Sequence, residues 1–445
     1  MLKTALVAAT ALAALAGAAP ASAKTEINMW FGLSGRLQNE VLAQCDRFNK
    51  SQDLYTIKCT REGDYDEIFQ KAMAAVRAGN QPHILQVVDR GTGTMMLSGA
   101  VIPAYQLAEE QGIKINWDDY FPVIGNYYAG RDGKLWAFPF NSSTAMVYYN
   151  TDALKAAGYT SFPDTWEGFD DLLVALRDKA GSSCPLTWNI DLWSDMEQFS
   201  AIHNVPVASK NNGYDGLDAQ LELNKTIFVK HMERQKRWFD AGLAKYDPNF
   251  NNRRDMFVSG RCAIMFDSIA GFTSTDELAT PKGTNWTVAQ LPHNKDVTPI
   301  NSLVGGAALW TMKGFSKEEY KAVGAFYQFI AQPEQQKLWS DGTGYIPVTK
   351  SAYNELVASG YYKQKGKINR DLAVQSLTRA TPTPLSKGVR LGNYVEIRNI
   401  ITEELQKALN NQVTVQQAID TPAATCCSSA SRTPMPAARC PDRQI

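Results

Sequence analysis

FPFNSSTAMVYYN, residues 138–150, is the stretch whose reading decides the fold. Phe138 and Phe140 alternate with small or polar residues. A polar patch follows, Asn141-Ser142-Ser143-Thr144, and then Met146, Val147, Tyr148 and Tyr149 run apolar into Asn150. One strand buried in one core has no use for a polar patch at its centre. A chain that leaves one core, crosses an open space and enters a second core does. Polar residues in the middle of such a crossing are candidate ligand contacts, and within this patch Ser143 is the residue expected to make one. The others are expected to shape the hinge.

The chain on either side can supply two cores. It has 445 residues, 44% of them apolar, with 45 basic against 45 acidic side chains. That is a globular composition large enough for two apolar interiors. The neutral charge balance gives no footprint for nucleic acid. Residues 24–140 alternate strand and helix: strands at 27–31, 55–59 and 84–88, helices at 37–49 and 66–78. Ile68, Phe69, Ala72, Met73 and Val76 make an apolar stripe, with Asp64 placed to cap the helix and Gly79 to stop it. This order predicts a mainly parallel sheet covered by helices. Ligands of such sheets bind beyond the carboxyl ends of the strands, which puts Ser34, Tyr65 and Asp89 on a common rim.

The second half repeats the α/β character without repeating sequence. Helices are expected near 165–180, 226–244, 320–331 and 395–409. The strand 262–266 runs into Asp267-Ser268-Ile269-Ala270-Gly271, a second candidate crossing, and 303–312 with Gly305-Gly306 is a third. Residues 1–23 read as a secretory signal: Lys3, an apolar run at 5–16 and Ala21-Ser22-Ala23 before the cleavage point. Export to a periplasm permits disulfides. Of the seven cysteines, Cys45 and Cys59 form the best local pair, with free buried thiols as the alternative. Residues 421–445 hold four Pro and three Cys and neither Leu, Val nor an aromatic residue, and read as a disordered tail.

No motif for catalysis stands out. GxSxG, HExxH, a P-loop and a complete GxGxxG are missing, and Gly91-Thr92-Gly93 is only a fragment of the last. No pair of carboxylates can be nominated for glycoside hydrolysis. The cysteines show no zinc spacing. The expectation is therefore a binder that is not an enzyme, with no cofactor and no metal. A secreted glycosidase or phosphatase is the competing class.

Several runs carry a resemblance: NMWFGLSG at 28–35, AVRAGNQPHILQV at 75–87, GTMMLSGAVIP at 93–103, FNSST and YYN within 140–150, ASKNNGYDG at 208–216, GGAALW at 305–310, TGYIPVTK at 343–350, LSKGVRLGN at 385–393 and EIR at 396–398. Over residues 24–420 the chain resembles the extracellular solute-binding proteins of ABC importers. Within them it is closest in pattern to the glycerol-3-phosphate binders, relatives of the maltodextrin-binding proteins. The resemblance implies a two-lobe, type II periplasmic binding-protein fold of class α/β. It implies lobe 1 from 24–141 and 271–308, lobe 2 from 142–270 and 309–420, and hinges near 141–145, 266–271 and 307–313. It implies ligand contacts from Tyr65, Asp89, Ser143, Ser268, Gly306, Tyr345 and Arg398, with Trp193 as an aromatic wall. The chain departs from that pattern in carrying Asp89 in place of Glu, Ile190 in place of a second Trp, and a different sequence after Asp420. The ligand so implied is glycerol-3-phosphate or a glycerophosphodiester such as glycerophosphocholine, the partner a membrane permease, and the state a periplasmic monomer. An oligosaccharide of the maltodextrin type is the alternative ligand.

The residue types suit a phosphate ester by their own chemistry. A phosphate offers acceptors only and needs hydroxyls, backbone N–H groups and a forked guanidinium. Ser143, Ser268, Tyr345 and Arg398 are donors, and Gly306 is expected to present its N–H. Asp89 can accept from glycerol hydroxyls.

Overall fold

The computed structural model describes residues 24–429. The signal sequence expected at 1–23 and the tail from 430 lie outside the described residues.

Among the described residues eleven strands form two sheets. Five belong to the first half of the chain: β1 Thr25–Phe31, β2 Tyr55–Arg61, β3 Ile84–Val88, β4 Val101–Ile102 and β5 Phe138–Ser143. The rest are β6 Ala145–Asn150, β7 Leu186–Trp188, β8 Ala244–Tyr246, β9 Ile264–Ser268, β10 Trp286–Gln290 and β11 Gly305–Met312. The first sheet runs β2-β1-β3-β11-β4, with β5 also on β11, and the second runs β10-β6-β9-β7-β8. The pairs β1–β2 and β1–β3 are parallel, and β11 lies antiparallel to β3.

The opening stretch spans both sheets. β5 pairs with β11 in the first and β6 pairs with β9 in the second, with Thr144 alone between them. The Thr144 hydroxyl lies 3.0 Å from both the Ser302 hydroxyl and the Leu303 carbonyl, tying this passage to the chain that enters β11. Local chemistry explains the flanking helices. Asp64 caps the helix Tyr65–Ala78 through a reciprocal bond pair with Glu67, and Gly79 ends it at φ 72°.

Several expected boundaries are corrected. β9 and β10 both belong to the second sheet, so the chain does not change sheets at 266–271. β10 pairs with β6 along its whole length, which takes it out of the first lobe. The return to the first sheet comes between β10 and β11, before residue 305, and β11 is held by β3 from Ala307 to Thr311. The chain therefore does not pass between lobes at 307–313. The helices Lys317–Ile330 and Pro333–Thr343 also leave the second lobe, because they cover the first sheet, with Phe326 and Phe329 packed edge-on against Phe48. The tail expected to be disordered from 421 is helical over its first residues. The helix Val415–Ser429 continues through Pro422 and packs on the helix Tyr394–Leu409. Val415, Ala418 and Ile419 bury its near face in the second core. The apolar anchors of that helix lie before 421, where the composition of the tail does not register them.

Cys45 and Cys59 are disulfide-bonded, and so are Cys184 and Cys262, a pair 78 residues apart that local spacing does not reveal. Among the described residues no helix is long and apolar enough to cross a membrane.

Candidate functional site

A cleft of about 460 Å³ lies between the two sheets. Tyr65, Asp89, Ser143, Trp193, Ser268, Gly306, Tyr345 and Arg398 all line it. They come from eight separate places in the chain. Asp89 follows β3, Ser143 ends β5 and Ser268 ends β9; Gly306 opens β11. Tyr65 starts its helix, Trp193 starts the π-helical turn Trp193–Gln198, and Arg398 lies one turn into Tyr394–Leu409. Ser34 lines the same cleft, as its rim position predicts.

A buried polar chain sets the first-lobe wall. The Gly32 N–H donates to Gln86 Oε1 at 2.8 Å, Gln86 Nε2 to Asn141 Oδ1 at 2.8 Å, and Asn141 Nδ2 to the Tyr65 phenol oxygen at 2.9 Å. Asn141 is fully buried, so it shapes the wall and does not face the cleft. The Tyr65 oxygen is used as an acceptor, which leaves its O–H to donate. Tyr345 stands beside it, and burial pushes its phenol up to about 12, so it stays a donor at any physiological pH.

Asp89 accepts the Gly306 N–H at 3.0 Å on Oδ2 and the Arg90 N–H at 2.6 Å on Oδ1. Burial pushes its carboxyl above the usual range, against the opposing pull of Arg90 and Arg398. Here the expected role of Gly306 changes. Its N–H is already given to Asp89 and is not free for a phosphate. Glycine is needed for another reason: at φ 112°, a Cβ would run into the Asn141 carbonyl of the neighbouring strand. Gly305 is equally constrained, because a Cβ there would enter the Trp193 ring. Trp193 thus lies against the strand, and its Nε1 is buried with no hydrogen-bond partner among the described residues. Ser268 accepts the Ala270 N–H at 3.1 Å, so its own proton is available to a ligand.

Arg398 is buried, with only 13% of its side chain exposed, and is not the solvated helix residue its sequence context would give by default. Its guanidinium lies 3.2 Å from Glu197 and 3.6 Å from Asp191. Glu197 Oε1 also accepts the Tyr394 O–H at 2.9 Å, while Oε2 has no hydrogen-bond partner among the described residues. Burial pushes the Glu197 carboxyl up to about 7 against the pull of Arg398, and the nearby Asp89 and Asp191 carboxylates add to the rise. The same three carboxylates hold the guanidinium firmly charged.

Sequence reasoning missed the far end of the cleft. Arg36, Phe250, Arg254 and Asp267 line it, with Arg254 3.1 Å from Asp267 and stacked 4.3 Å from the Phe250 ring. Only Asp267, in the polar patch that ends β9, had a visible signal. Glu197 had none, since a π-helical turn shifts the face on which each residue falls. Four arginines and three aspartates line the cleft, and each arginine is ion-paired, Arg36 with Glu277, Arg90 with Asp66, Arg254 with Asp267 and Arg398 with Glu197. Among the described residues no group of three or more His, Cys, Asp or Glu is placed to hold a metal.

The model of the bacterial extracellular solute-binding proteins matches residues 43–368. The chain belongs to that family. It is 38% identical over 412 residues to the sn-glycerol-3-phosphate-binding periplasmic protein UgpB of Escherichia coli O1:K1, covering 92% of this chain and 93% of the relative. UgpB of Yersinia enterocolitica is also 38% identical, over 92% of both chains. Among solved structures, UgpB of Mycobacterium tuberculosis in complex with glycerophosphocholine superposes with a TM-score of 0.72 at 21% identity, covering 90% of this chain and 97% of that one. The GacH receptor of Streptomyces glaucescens, solved unliganded and with acarbose, gives 0.74 at 16% identity, again over 90% and 97%. The fold is therefore that of the type II periplasmic binding proteins, and the relatives are solute receptors and not enzymes.

Proposed function

We propose that this chain is the periplasmic receptor of an ABC importer, and that it captures glycerol-3-phosphate or a glycerophosphodiester between its two lobes. The observation that carries the reading is the convergence of eight dispersed residues on one cleft whose donors outnumber its acceptors. Arg398 and the hydroxyls of Ser143, Ser268, Tyr65 and Tyr345 take the phosphate oxygens. Asp89 accepts from glycerol hydroxyls, and Trp193 covers the carbon skeleton. Ligand bridging both lobes favours a closed form by its differential affinity for that form. The closed, monomeric protein then docks on the membrane permease. The identity of the 38%-identical relatives supports this ligand class. A thermal-shift series tests the reading. Ligand at 100 times its dissociation constant adds about 2.7 kcal/mol. Glycerol-3-phosphate or glycerophosphocholine should therefore raise the melting temperature and maltose should not. Phosphate released from the ester during incubation would point instead to an enzyme.

A further inference from the structure

Two of the sequence runs quoted above, 208–216 and 385–393, contribute nothing to the cleft except the approach to Arg398. The structure gives them a common task. Lys210, Asn211, Asn212 and Gly213 occupy the left-handed region in succession, at φ 55°, 52°, 56° and 86°. Consecutive non-glycine residues rarely adopt this conformation, and it persists only where the surroundings hold it. What it produces is a clip. Asn212, 1% exposed, accepts the Val207 and Ala208 N–H groups at 2.9 and 3.0 Å. Its Nδ2 donates to the carbonyls of Leu385 and Gly388, both at 3.2 Å, and its own carbonyl takes the Arg390 N–H at 2.8 Å. Tyr214 adds a bond to the Lys387 carbonyl at 3.0 Å. The strap 385–391 is thereby fixed to the second lobe, with Val389 and Leu391 seated in that lobe's core.

From this strap Arg390 reaches the other lobe. Its guanidinium stacks 3.9 Å from the Tyr214 ring, and Nη2 donates to the carbonyls of Tyr127 at 3.0 Å and Ala129 at 2.7 Å. Tyr127 ends, and Ala129 directly follows, the helix Pro122–Tyr128, which packs on β5 of the first sheet. Two glycines make the approach possible. A Cβ on Gly388 would overlap the Tyr127 ring, and a Cβ on Gly93 would stand 2.9 Å from the Leu391 carbonyl oxygen. Gly93 lies in the first-lobe helix Thr92–Leu97, so the Gly91-Thr92-Gly93 fragment finds its use here as a seat for the strap. Arg390 does not line the cleft.

We propose that the strap 385–391 is a closure latch: Arg390 and the Gly93 seat hold the lobes together around the ligand and so set affinity without touching it. This rests on the proposed capture between lobes. Arg390 is on this reading a positioning residue, which brings the following helix and Arg398 onto the first lobe.

The two contacts can be perturbed in opposite ways. Arg390→Gln removes the bridge. Gly93→Ala removes no contact and places a good helix former in a helix, but wedges the strap away from its seat. The probe is glycerol-3-phosphate, titrated by calorimetry into the full mature chain, with small-angle scattering at saturating ligand. Wild type should bind and contract. Both variants should bind about tenfold or more weakly, and Gly93→Ala should do so with the melting temperature of the ligand-free protein unchanged or raised. A Gly93→Ala protein that binds as wild type overturns the latch. So does a lowered melting temperature with unchanged affinity, which marks the strap as structural only. Should Arg390→Gln fail to fold, Gly93→Ala decides alone. A wild type that does not bind the probe refutes the proposed ligand class, whereas a binding wild type with equally binding variants refutes only the latch.

Discussion

Replacing Arg398 by Ala should damage binding far more than folding, and the structure says by how much. The guanidinium is the cleft's buried fork, and an anion that loses such a partner loses about 2–5 kcal/mol of affinity, or roughly 30- to several-thousand-fold. The folding cost is limited by the carboxylate left behind. A buried ion pair broken on one side generally costs about 3–5 kcal/mol, because a bare charge remains. Here Glu197 is already pushed up to about 7 by burial and can take a proton. Its carboxyl is raised in the folded state, so its burial costs stability as pH rises above its unfolded value, and removing Arg398 extends that window upward. At pH 8 the loss of Arg398 obliges Glu197 to take up a proton in the folded state, so the extra cost through Glu197 is felt there. At pH 6 Glu197 is neutral with or without Arg398, and the extra cost falls to near zero. The assay pairs calorimetric titration with melting curves at pH 6 and pH 8. The reasoning is refuted if Arg398→Ala keeps its affinity within threefold, or if it loses as much stability at pH 6 as at pH 8.

Three further outcomes follow from the geometry. Asp195 is buried, accepts from the Asp191 N–H and Gln235, and its carboxyl is pushed up to about 8, so the folded state holds a proton that the unfolded chain releases. Its burial therefore costs stability progressively from about pH 4 to pH 8, and Asp195→Asn should narrow the loss seen in wild-type melting temperature over that range; parallel pH profiles would count against the assignment. Gly305→Ala should displace the Trp193 ring and weaken ligand binding with little change in the far-ultraviolet spectrum, and unchanged tryptophan fluorescence on ligand addition would contradict it. Replacing Cys184 and Cys262 together by Ser should cost about 4.5 kcal/mol by loop-closure entropy for a pair 78 residues apart, read from denaturant midpoints, and an unchanged midpoint would contradict that cost.

The polar patch at 141–144 was legible because a change of core leaves a break in the apolar pattern. Thr144 between β5 and β6 is the physical form of that break. The first three strands and their helices were legible for the same reason, since each buries a continuous apolar face. Lobe membership after 270 was not. β10 is a partly buried edge strand whose pattern is the same in either sheet, and only its pairing with β6 assigns it. Four of the eight cleft residues, Asp89, Ser143, Ser268 and Gly306, sit at strand ends, where their type and place already point inward. The bonding of Gly306 to Asp89, and of Arg398 to Glu197, depends on contacts 217 and 201 residues apart in sequence, which no local pattern encodes. The second disulfide was invisible for that reason too.

The most direct test is calorimetric titration of the purified mature protein with glycerol-3-phosphate, glycerophosphocholine and maltose in the same buffer. The account predicts saturable one-to-one binding of at least one of the two phosphate esters and no heat of binding from maltose. Binding of maltose with neither ester bound would contradict it.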